Sequence, residues 1–142
     1  MKWITRERVR VDRVASAWLI KNFIDPEAEF IFAPGAEVMT RAQEEQATPF
    51  HVPEAELGQR EGRTGFDALV ARYDLTDPGV QKLAELVRAA DRKGSAPEAA
   101  GIWAITHGFF LMNLPDQQVL ELELPVFDAL YRYCQEQASK PS

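Results

Sequence analysis

The chain has 142 residues, 46% of them hydrophobic and 27% charged, a composition that fits one globular domain with a real core. A net charge of −6 gives no support to nucleic-acid binding, and the single cysteine excludes an internal disulfide and any CxxC metal site. No apolar run approaches a membrane span and the N-terminus lacks a signal-peptide pattern, so the expectation is a cytoplasmic domain that engages neither membrane nor nucleic acid.

Taken in order, residues 2–6 read as a strand, with Trp3 and Ile4 as its apolar members. Asp12 is a good N-cap for a helix over residues 13–24, whose sequence V-A-S-A-W-L-I-K-N-F-I is apolar around most of its circumference and so belongs in the core. Arg13 in its first turn needs a partner, because an unpaired interior charge is costly. Asp25-Pro26 ends the helix, and residues 28–32 form a second strand. Pro34-Gly35 marks a turn before a short polar helix over 37–46 with Val38, Met39 and Ala42 inward. Residues 48–53, T-P-F-H-V-P, are extended and suit a third strand at a sheet edge, since prolines remove ladder donors. A polar loop spans 54–62.

The rest is helical. Thr64 caps a helix with Phe66, Leu69, Val70 and Tyr73 inward. Asp77 caps the next, with Pro78 in first position and a stripe of Val80, Leu83, Ala84 and Val87 that continues to Asp91 before Lys93-Gly94 stops it. Ser95 to Glu98 reads as a capping box opening a buried helix to Met112. Pro115-Asp116 begins a last helical region to about Gln137, interrupted or kinked at Pro125, with Cys134 as a buried, inert thiol. The fold class is α+β, mostly helical, a single domain of five to six helices around a small two- or three-stranded sheet.

Phosphate-binding glycine loops, HExxH and GxSxG are absent, so the candidates are polar residues where an apolar one is expected. Asp91 lies on an inward stripe near a helix C-terminus, where the dipole disfavours it; a salt bridge to Arg13 or Arg63 and a functional site both account for it. Arg63 leads a helix N-terminus, a natural anion site, while Asp67 three residues after Thr64 also fits plain capping. His107, between Trp103 and Phe110, suits a hydrogen-bonded core histidine as well as a ligand. Glu98 is explained by its capping box, His51 suits the surface, and Trp3, Trp18 and Trp103 suit the core. The basic residues Lys2, Arg6, Arg8, Arg10 and Arg13 form either a solvated edge or a local patch.

Residues 12–32, D-R-V-A-S-A-W-L-I-K-N-F-I-D-P-E-A-E-F-I-F, with T-P-F-H-V-P (48–53), G-R-T-G-F-D (62–67), V-R-A-A-D (87–91) and P-E-A-A-G (97–101), resemble the C-terminal domain of ChrB-type chromate resistance proteins. The resemblance runs in order over almost the whole chain. Its pattern falls on Asp12, Arg13, Trp18, Asp25, Arg63, Phe66, Asp67, Asp91 and Glu98. It implies a domain that follows a separate N-terminal region, accompanies a chromate efflux transporter and serves chromate-responsive regulation. The chain departs from it in three places: Thr64 stands where the family often has cysteine, the stretch at Gln59 or Arg60 lacks a histidine common near there, and His51 stands where aspartate is usual.

Two functions from different classes follow, beside a plain interaction scaffold. The first is a regulatory, oxyanion-binding domain holding chromate or a similar anion through Arg13 and Arg63, supported by Arg6 and Lys21. The second is a metal-dependent enzyme or binding protein in which Asp67, Asp91, Glu98 and His107 converge on a divalent ion. A homo-oligomer is compatible with either.

Overall fold

The computed structural model describes residues 1–52, 63–91 and 95–140. Strand β1 (Lys2–Arg6) leads into helix α1 (Val11–Leu19), whose continuation Ile20–Ile24 widens into a π-turn before β2 (Glu29–Ala33). The two strands run parallel, from Lys2 opposite Glu29 to Arg6 opposite Ala33. A 3-10 turn (Gly35–Glu37) and α2 (Val38–Glu45) carry the chain back to β3 (Thr48–Pro49), which pairs with the other edge of β1, again parallel. The sheet order is therefore β2-β1-β3, and α1 and α2 are the crossovers that parallel pairing demands.

Alternation along β1 divides the interior. Trp3 joins the main core, while Ile4 joins a smaller cluster with Ala33, Val38, Ala42, Ala47 and Val52 between the sheet and α2. Thr5 is fully buried, and its hydroxyl donates to the Phe50 carbonyl at 2.7 Å, tying down the short edge where Pro49 has no N–H to offer. Four helices complete the domain: α3 (Gly65–Arg72), α4 (Pro78–Asp91), α5 (Pro97–Leu111) and α6 (Asp116–Ser139). α6 lies chiefly along α4, and α1 is wedged against α3, α4 and α6. Buried Trp18 packs on Tyr131 of α6 at 5.1 Å and donates to Asp128 at 2.8 Å, so the core helix is both packed and pinned. Six helices on a three-stranded sheet are the mostly helical α+β architecture the pattern implied.

Several local expectations are corrected. α1 starts at Val11 with Arg10 in the cap position, so Asp12 lies inside the helix and is not its cap. Its end is as read: the Asp25 N–H closes the π-turn on the Ile20 carbonyl at 2.7 Å, just before Pro26. On α2, Val38 and Ala42 are four residues apart and share the buried face, which leaves Met39 outside. Ser95 does not cap α5. Pro97 takes the first helical position, where its missing N–H is harmless, and this puts Ala96 in the cap position without a side-chain bond. Nor is α5 buried throughout: only Ala99, Ile102 and Thr106 are, while Trp103, Ile105, Leu111 and Met112 are exposed. α6 runs through Pro125 without interruption. Cys134 is buried as expected, its thiol pushed up to about 11 by burial. The loop over 54–62 and the stop at Lys93-Gly94 lie outside the described residues. Among those described, no helix is long and apolar enough to cross a membrane.

Candidate functional site

Asp12, in the first turn of α1, is 2% exposed and turned toward the start of α3. Its Oδ2 accepts the Gly65 N–H at 2.7 Å and its Oδ1 the Phe66 N–H at 3.0 Å. The next N–H of α3, that of Asp67, is taken by the Thr64 hydroxyl at 3.0 Å, and the Asp67 carboxylate returns the bond to the Thr64 N–H at 3.0 Å. The predicted capping box thus forms, and the free donors that make a helix N-terminus attractive to anions are already satisfied by the chain's own groups.

His51 closes this corner. It is buried, holds a left-handed φ of 51°, and brings Nδ1 to 2.7 Å from Asp12 Oδ2, a close approach outside hydrogen-bond alignment. Gly65 lies directly against it: a Cβ there would come within 2.5 Å of His51 Nδ1. Gly65→Ala is therefore expected to lose roughly 1–3 kcal/mol, the usual cost of overpacking, and to lose much less in a His51→Ala background. Urea unfolding of the four members of that cycle measures it, and additive losses would show that the two residues do not clash.

Asp67 has a second commitment. Arg88 of α4 grips it with both Nε at 3.0 Å and a terminal nitrogen at 2.7 Å. Burial alone would raise the Asp67 carboxyl, but Arg88 and the Thr64 donors outweigh it and hold the group below the ordinary aspartate value. Arg63 is exposed and reaches only the Asp67 carbonyl, at 3.3 Å.

Positive charge gathers around Arg13. This guanidinium is half-buried and donates a long 3.4 Å bond to the His51 carbonyl, while its Nε–H is buried with no acceptor among the described residues. Burial, and then the charges of Arg6 and Arg10, lower its pKa; Asp12 and Asp91 oppose that shift. Arg10 also lines a cavity of about 90 Å³ with Val11, Asp91, Trp103, Thr106 and His107. One wall is an aromatic stack, with Trp103 on His107 at 4.5 Å and His107 on Phe110 at 5.8 Å, and Arg10 and Arg8 lie over the Phe110 ring at 4.2 and 4.5 Å.

The family model described as "ChrB, C-terminal domain" matches residues 3–134. The chain belongs to the ChrB C-terminal domain family. It is also 33% identical over 135 residues to "Protein ChrB" of Cupriavidus metallidurans, an alignment that covers 93% of this chain but 40% of that relative. No solved structure matches the chain.

Within this ChrB-type domain, the residues singled out from sequence separate into groups. Arg13 and Arg6 act on one another electrostatically, and Arg10, which the candidate set lacked, belongs with them. Lys21 is exposed on the π-turn, and Arg63 sits at α3. Of the proposed metal ligands, Asp91 and His107 share the cavity, whereas Asp67 is held by Arg88 and Glu98 accepts the Tyr133 hydroxyl at 2.6 Å. The four do not converge, and no cluster of three His, Cys, Asp or Glu suited to a metal occurs among the described residues. Sequence reasoning also passed over Glu123, which is 1% exposed, has no partner for Oε1 among the described residues and is pushed up to about 8 by burial. Its signal was available: with Val119, Leu120 and Phe127 it occupies an inward helical stripe, the same anomaly that drew attention to Asp91.

Proposed function

We propose that this domain serves chromate resistance by binding a small tetrahedral oxyanion at the cluster of Arg13, Arg6 and Arg10, beside the cavity lined by Asp91 and His107. The observation that supports it is the buried Arg13 Nε–H without an acceptor among the described residues, in a guanidinium already opposed by two like charges. A bound dianion offsets that repulsion and supplies the missing acceptor, and guanidinium groups match the geometry of oxyanion edges. Asp91 partly balances the cluster. The α3 N-terminus is not part of this site, because Asp12 and Thr64 occupy its donors.

Thermal unfolding titrated with chromate, against sulfate at matched ionic strength, tests it. Chromate is expected to raise the midpoint progressively, approaching about 2.7 kcal/mol of stabilisation at a hundredfold excess over Kd. Arg13→Gln is expected to weaken binding at least tenfold, and Lys21→Ala to leave it unchanged. No rise with either anion beyond the ionic-strength control would sink the proposal; equal rises would keep oxyanion binding and remove chromate selectivity.

A further inference from the structure

Helix α5 carries no Asp, Glu, Lys or Arg from Ala99 to Leu111 and is apolar around its whole circumference. Such a helix belongs inside a protein, yet among the described residues one side of this one is left exposed. Trp103, Ile105 and Leu111 are 40%, 49% and 67% exposed, Met112 just beyond is 57% exposed, and Leu122 of α6 adds another 43%. Between α5 and α6 runs an apolar groove of about 280 Å³, lined by Ile102, Ile105, Thr106, Val126, Phe127 and Leu130.

We propose that this face is a homodimer interface, with α5 packed antiparallel against α5 of a second copy across a twofold axis between Ala104 and Gly108. Arg8 and Arg10 flank the strip at Phe110, but the helix itself carries no charge between Ala99 and Leu111, which suits an identical strip. Its sequence is self-complementary about that axis. Gly101 comes opposite Leu111 and Met112 of the second copy, and Ala104 opposite Gly108, so small residues receive large ones or allow close approach. A Cβ built on Gly101 or Gly108 would touch nothing within 4 Å, so the space in front of both is open for a second helix. The exposed apolar side chains present on the order of 500 Å² per copy, or ~1,000 Å² in total, the size at which specific but weak interfaces begin.

Sedimentation velocity of the purified chain, from low micromolar to submillimolar concentration, tests the association. The wild type is expected to pass from monomer to dimer, and Ile105→Glu to remain monomeric with an unchanged far-ultraviolet spectrum. Ala104→Cys provides an independent measure that does not depend on a charged variant folding. With Cys134 buried, a short bis-maleimide is expected to link Ala104→Cys to itself as a covalent dimer, and to leave Thr40→Cys on α2 unlinked. A wild type that stays monomeric throughout overturns the proposal. So does a dimer that Ile105→Glu leaves intact, or one in which Ala104→Cys does not cross-link.

Discussion

Asp12→Ala is expected to destabilise the domain by about 3–5 kcal/mol, a large part of the 5–15 kcal/mol that holds a typical domain folded. The carboxylate is the acceptor for two buried N–H groups of α3 and one of the few opposite charges acting on Arg13. Its removal leaves the donors unpaired at the positive end of a helix dipole and deepens the repulsion among Arg13, Arg6 and Arg10. Asp12→Asn keeps one acceptor but turns an amide N–H₂ toward Gly65 or Phe66, so it is expected to fall between wild type and Ala. Urea unfolding gives both losses. The same variant carries a second expectation: with Asp12 gone, the N-terminus of α3 becomes the anion site the sequence advertised, and sulfate should stabilise Asp12→Ala more than it stabilises the wild type. A midpoint unmoved by Asp12→Ala would mean that other acceptors satisfy these donors.

Glu123 is expected to produce the opposite effect. Its folded-state pKa is raised to about 8 against an ordinary 4.5, and the cause is burial. Below pH 4.5 the carboxyl is protonated in both states and pH has no effect through it. Between 4.5 and 8 the unfolded chain gives up this proton while the folded one keeps it, so stability falls as pH rises. Above 8 the penalty is fully developed and constant. Glu123→Met, which fills a similar volume without a charge, is expected to be more stable than wild type by roughly 2–4 kcal/mol at pH 8, with the advantage shrinking toward pH 4.5. Glu123→Gln should abolish the same pH dependence while keeping a buried polar group. Unfolding free energies of the three proteins across pH 4–9 decide it. A difference that does not change with pH would show that the carboxylate is ionised and paired in the folded state.

The elements were legible because their signals are local. Pro26 and Pro78 mark a helix end and a helix start, the inward stripes follow helical spacing, and Thr64 with Asp67 forms the box that its spacing announces. The parallel sense of the sheet was not, since nothing in the composition of five-residue strands distinguishes it. The candidate site was half legible for the same reason. Arg13 and Asp91 stood out as polar residues on apolar helices, but whom they face depends on packing. Asp12 looks like a cap from its neighbours alone, and its partners lie 53 and 54 residues away. Asp67 is spent on Arg88, 21 residues on and on another helix, which no spacing rule anticipates. The exposed side of α5 was misread because an all-round apolar helix looks the same whether a core or a partner covers it.

The sheet order also sets how the domain tolerates damage. Among the described strands, β2 and β3 touch β1 and not each other, so every inter-strand bond passes through Lys2–Arg6. A hairpin or meander that loses a terminal strand keeps a smaller sheet; here the loss of Lys2–Arg6 leaves no pair at all. Trp3 and Ile4 would vanish from both apolar clusters at once. The hub has nothing to bond until α1 and then α2 have brought the later strands alongside, so sheet formation waits on helix docking and proceeds through non-local contacts. A distortion confined to Lys2–Arg6 thus reaches the whole sheet.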